Sequence, residues 1–100
     1  MVAHETPRVS VVMPVYNPLP YLDAAVESIL GQSFEDFEFV ILDDASTDGS
    51  TERLREWASK DSRIRLIEEN SNLGPAVSSD RVARAARAPI GVKVAREPCG

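Results

Sequence analysis

Residues 40 to 50 read "VILDDASTDGS": an apolar run suited to a buried strand stops on two adjacent carboxylates, Asp43 and Asp44, with Ser46 and Asp48 close behind. An ionised carboxylate only accepts hydrogen bonds, so this pair repels a phosphate oxygen and suits a ring N–H, a sugar hydroxyl or a cation. Spacing tests the cation. A calcium loop beginning at Asp44 has Ser46, Asp48 and Gly49 at its third, fifth and sixth positions, but Arg55 stands at the twelfth, where a bidentate Glu is required. That reading fails. Two readings of the stretch remain: a helix cap with a decorated turn, which Asp, Ser and Thr provide routinely, and a ligand contact. Asp48 is expected to cap and Asp44 to meet a ligand.

Four apolar, β-branched stretches are positioned to carry such residues: Val9 to Val15, Phe37 to Leu42, Ile64 to Glu68 and Ile90 to Ala95. The first two are nearly continuous apolar runs, as expected of strands covered on both faces in a parallel sheet. Between them, Leu22, Ala25, Val26, Ile29 and Leu30 fall on one helical face that Gly31 would end as a C′ residue. "DGSTERLREWASK" offers Asp48 or Ser50 as an N-cap and Leu54, Trp57 and Ala58 as an inward face, which makes Trp57 a core residue rather than a stacking platform. "GPAVSSDRVARAAR" begins with Pro75 at a position suited to N1 and has a mostly alanine face. The order βαβαβαβ, with strand starts roughly 25 to 30 residues apart, predicts an α/β fold: a Rossmann-like open parallel sheet in a three-layer sandwich. Right-handed crossovers bring every strand's carboxyl end to one edge, where such sheets bind ligands.

The loops at that edge are polar. Pro14, Tyr16 and Asn17 follow the first strand, Asp43, Asp44, Ser46 and Asp48 the second, and Asn70, Asn72 and Gly74 the third. Tyr16 offers a ring face for a flat heterocycle. Neither familiar phosphate cradle is present: "PVYNPLPYL" has no glycine for a G-x-G-x-x-G turn, and no G-x-x-x-x-G-K-[ST] occurs. A flat base with an N–H edge is the most economical ligand.

Composition sets the outer bounds. The 100 residues, 43% hydrophobic, are enough for one core. A formal net charge of −5 argues against a general nucleic-acid or anionic-membrane surface. Cys99 is the sole cysteine, so no internal disulfide can form, and it is read as an inert thiol in a reducing compartment. No segment approaches the roughly 18 consecutive apolar residues of a membrane span. The chain is therefore expected to be cytoplasmic, without a transmembrane segment, or a soluble portion of something larger. His4 is read as a solvated residue of a polar leader over residues 1–7.

Taken together, "VSVVMPVYNPLPYLDAAVESILGQSFEDFEFVILDDASTDGS" and "RIRLIEENSNLGPAVSSDRVARAARAPI" resemble the start of the family 2 glycosyltransferases of the GT-A fold, over about residues 8 to 90. Pro-x-Tyr-Asn, "ILGQSF", Asp-Asp-x-Ser-x-Asp-Gly and Asn-x-Gly carry the likeness. The resemblance implies the nucleotide-binding half of a GT-A fold and a site for a nucleotide-diphospho-sugar, with a UDP-sugar as the expected donor. It implies that Pro14 and Tyr16 line the base pocket and that Asp44 accepts from a base N–H. It also implies that the loop with Asn72 and Gly74 runs toward the ribose and diphosphate, and that Asn17, Asp43 and Ser46 belong to the same site.

The departures are equally specific. Family members continue into an Asp-x-Asp motif that holds a divalent cation, Mn or Mg, against the diphosphate, which neutralises the leaving group. Here no Asp follows Asp80, which itself stands where the family more often has Asn, and residues 91–100 read "GVKVAREPCG". The metal ligands, the acceptor-binding half and the catalytic base are not found in this chain, and the acceptor is unknown. The expectation is an N-terminal portion or a frame disrupted near Ile90, weak or inactive in transfer alone. A nucleotide-binding module without chemistry and an incompletely folded fragment stay open beside it.

Overall fold

In a computed structural model of the chain, residues 9–32, 36–87 and 91–94 are described, the last four as backbone. The leader with His4, and Cys99, lie outside these residues. Four strands and three helices alternate: β1 (Val9–Val15), α1 (Leu19–Leu30), β2 (Phe37–Asp43), α2 (Ser50–Lys60), β3 (Ile64–Glu68), α3 (Pro75–Ala85) and β4 (Gly91–Val94). All pairings are parallel, in the spatial order β3-β2-β1-β4. The chain thus steps outward from β1 to β3 and then crosses back to the far side of β1.

Both faces of the sheet are covered, which is why β2 is buried at all seven positions. On one face Val11, Met13, Val15, Phe37, Phe39 and Ile41 pack with Leu22 and Val26 of α1 and Leu54 of α2. The opposite face is thinner: Val12, Val40 and Leu42 meet Val82 of α3, with Ala85 and Ala86 at its margin. The expected alanine face of α3 is not the one that packs: Ala76 and Ala83 are exposed, and Ser78 and Val82 are the residues the helix buries against the sheet. Trp57 packs against the first cluster while its indole N–H donates to Asp23 at 2.8 Å, as suits a structural residue.

Three local expectations are revised. Helix α1 starts at Leu19, earlier than "YLDAAVESILGQ" suggests, because Pro20 falls in the first turn, where its missing N–H has no ladder partner to lose. Gly31 has φ −83°, so the helix ends there without a left-handed residue. The N-cap position of α2 is Gly49, at φ 95°, and neither Asp48 nor Ser50 occupies it.

Candidate functional site

The carboxyl edge of the sheet is built from the loops after β1, β2 and β3. Strand β1 delivers half-buried Pro14, then Tyr16, 46% exposed, then Asn17, whose φ of 50° turns the chain sharply toward α1. Ala45, after β2, is also left-handed at φ 62°. Left-handed residues other than glycine are costly, and two at one edge mark loops held in shape by their surroundings.

What holds them is visible in the hydrogen bonds. The Asn17 N–H donates to Ser46 Oγ at 2.9 Å, and the Thr47 N–H donates to Asn17 Oδ1 at 2.8 Å, so the first two loops are stitched together in both directions. Asp48 extends the seam. Its Oδ2 accepts the Leu19 N–H at 3.1 Å, and its Oδ1 accepts the Ser50 N–H at 3.0 Å and the Ser50 hydroxyl. One carboxylate therefore serves the first turns of both α1 and α2, where negative charge is favoured. Partial burial pushes its pKa up, but the Ser50 hydroxyl and the Leu19 and Ser50 N–H groups outweigh that and hold it below the ordinary carboxylate value. The expected capping role of Asp48 is thus exercised from one residue before the N-cap position.

The Asp pair divides. Asp43, the last residue of β2, is 1% exposed; Oδ1 accepts the Ser46 N–H at 3.1 Å and Oδ2 the Thr51 hydroxyl. It faces inward and braces the loop and the start of α2. Asp44 stands where all three loops meet. Its N–H donates to Val15 O at 2.9 Å, while Oδ1 accepts the Leu73 N–H at 2.7 Å and Oδ2 the Gly74 N–H at 3.0 Å. Asn72 Oδ1 also accepts the Gly74 N–H at 3.0 Å. Gly74 has φ 88° and ψ 159°, a conformation essentially restricted to glycine. The structure thus brings Pro14, Tyr16, Asn17, Asp43, Asp44, Ser46, Asn72 and Gly74 to one edge, several of them bonded to each other.

No group of three or more His, Cys, Asp or Glu side chains converges among the described residues. The described residues thus offer no ready-made ligand set for the divalent cation that the resemblance implies. Nor does any helix among them have the length and apolarity to cross a membrane.

One buried group escaped sequence reasoning. Glu38, second in β2, lies 4% exposed at the amino end of the sheet, where it accepts the Ser10 hydroxyl and the Arg87 N–H. Burial raises its pKa, but the Ser10 hydroxyl, both donors of Arg87 and the charge of Arg65 outweigh that and hold it below the usual value. Ser10 and Glu38 are register partners in a parallel pair. That shared second position is the signal by which the pair can be found.

Comparison with known proteins places this edge in context. A family model described as glycosyl transferase family 2 matches residues 10–92. An uncharacterized glycosyltransferase of Haemophilus influenzae is 40% identical over 72 residues, 72% of this chain and 29% of the relative. The mannosyltransferase PcManGT of Pyrobaculum calidifontis, solved in complex with GDP-Man and Mn2+, superposes with a TM-score of 0.72 at 33% identity, over 81% of this chain and 25% of its own. S. aureus TarS 1–349 in complex with UDP-GlcNAc superposes with a TM-score of 0.80 at 25% identity, over 90% of this chain and 26% of its own. The open parallel sheet with its flanking helices matches the fold of both solved structures. The chain spans about a third or less of the length of the curated relatives it matches.

Proposed function

Since the chain belongs to glycosyl transferase family 2, we propose that its carboxyl edge binds the nucleotide of a nucleotide-diphospho-sugar, a UDP-sugar, as the donor half of a glycosyl transfer site. The observation that carries this reading is the position of Asp44 at the junction of three loops, its N–H bonded to the carbonyl of Val15, the residue before Tyr16. A carboxylate there selects bases with a ring N–H. Uracil and guanine have one at the edge in question; neutral cytosine and adenine present a ring acceptor there and are left with only their exocyclic amino group to donate, so they bind less well. Tyr16 supplies the ring face and Pro14 the floor. Asn72 and Gly74 face the ribose and diphosphate side, while Asn17, Asp43 and Ser46 hold these groups in place.

Transfer itself requires a base to deprotonate the acceptor hydroxyl, and in the family a divalent cation, Mn or Mg, neutralises the departing diphosphate. In this reading both belong to the whole enzyme and lie outside the described residues, so residues 8–90 are a nucleotide-binding half domain that is weak or inactive in transfer alone. Calorimetry of the 100-residue chain with UDP, GDP, CDP and ADP, with and without manganese, tests it. Weak UDP binding that changes little with metal is expected, with CDP and ADP weaker still. Equal affinity for all four, or a strong metal dependence, would overturn it.

A further inference from the structure

The two N–H groups that Asp44 accepts come from successive residues, Leu73 and Gly74, one to each carboxylate oxygen. Paired backbone N–H groups of this kind form an anion cradle, and charge-assisted bonds to it are strong. The cradle exists because Gly74 adopts its unusual φ and ψ. The same residue's carbonyl accepts the Ser78 N–H at 3.0 Å and so begins the ladder of α3. The other end of the loop is fixed separately, with the Glu69 N–H donating to Asp43 O at 3.0 Å. Residues 70–74 are thus a short span anchored at 69 and fastened at 73 and 74. With the loop fastened, Asp44 is only 3% exposed.

From this we infer that Asp44 is a latch for the β3–α3 loop, and that a nucleotide base gains the carboxylate only by releasing Leu73 and Gly74. The inference rests on the reading of Asp44 as the base contact and adds a conformational step to it: the fastened loop leaves the carboxylate only 3% exposed, so base and loop compete for access to it. Asp44 is then a positioning residue in the unliganded chain and a binding residue in the complex. The β3–α3 loop, in turn, is the part of the site that moves, against the fixed seam of Asn17, Ser46, Thr47 and Asp48.

Amide proton shifts in the 100-residue chain test this without reference to activity. In the absence of nucleotide, Asp44→Ala is expected to move the Leu73 and Gly74 amides upfield while leaving those of Ser46 and Thr47 in place. Added formate, a small carboxylate that can fill the vacated acceptor, is expected to restore them. Asp44→Asn, which keeps the shape and one acceptor oxygen, should release one of the two amides and serves if the alanine variant does not fold. UDP added to the unsubstituted chain should shift both amides upfield. Unchanged Leu73 and Gly74 amides in both variants would overturn the latch, as would a downfield shift with UDP. If the variants release the loop but UDP affinity is unaltered, the base contact fails and the latch stands. If affinity falls while the amides do not move, the latch fails and the base contact stands.

Discussion

Glu38 and Arg87, 49 positions apart, are joined twice: the carboxylate accepts the Arg87 main-chain N–H at 2.6 Å and its guanidinium N–H at 3.2 Å. The Ser10 hydroxyl donates to the same carboxylate, and the Arg65 guanidinium lies 3.4 Å away. This ties the chain leaving α3 to the second position of β2. Glu38→Ala removes the acceptor these donors share and should cost about 1.5–3 kcal/mol in urea unfolding. Because its pKa is lowered on folding, Glu38 contributes stability that is complete above the unfolded value near 4.5 and is lost as the pH falls through the lower folded value. Glu38→Gln should remove that part of the acid slope.

Substitution separates the two members of the Asp pair. Asp43→Ala should lower stability by about 1–3 kcal/mol, since the Ser46 N–H and Thr51 hydroxyl lose a buried acceptor. Asp44→Ala should weaken UDP binding by at most about 1.5–3 kcal/mol, roughly 10- to 150-fold, since the lost base contact is partly offset by loop N–H groups that no longer have to be released. Thermal unfolding and calorimetry on the two variants make the comparison.

Tyr16 and Trp57 offer the second contrast between ligand and scaffold. Tyr16→Ala should reduce UDP affinity by about 1 kcal/mol, and Tyr16→Phe should retain it, because the ring face does the stacking. Trp57→Phe should leave affinity unchanged, since the indole packs on the α1 and α2 side and bonds Asp23. Titration of each variant with UDP reads the difference.

Gly74→Ala isolates the backbone. A Cβ at that position meets no atom within 4 Å, so any effect comes from φ 88° alone. A cost of about 1–3 kcal/mol is expected in urea unfolding, with disturbed Leu73 and Gly74 amide signals.

Much of this architecture is legible in local pattern. The β-branched runs define β1 to the residue and β2 to within its last residue, because strands buried on both faces leave continuous apolar signals; β3, a half-buried edge strand, is matched over its five residues without such a run. The carboxyl edge follows from right-handed crossovers. What local pattern does not carry is pairing between distant side chains. Glu38 looks like an interruption in an apolar run until Ser10, Arg65 and Arg87 are brought around it. Asp44 looks solvent-facing until the N–H groups of Leu73 and Gly74 close over it. Asp48 was legible as a cap, yet its hold on Leu19 depends on two loops meeting.

The return of the chain to the far side of β1 also governs how the fold is made. Val9 pairs with Gly91, 82 positions later, whereas β1, β2 and β3 are joined by successive short crossovers. At a synthesis rate of about 5–20 residues per second, the outer edge of β1 stays unpaired for on the order of ten seconds after it emerges. An unpaired strand edge is a template for joining another chain. Nascent chains on one messenger can therefore meet at the core strand β1 during that interval, and the arrival of residues 91–94 moves the open edge outward to the short strand β4.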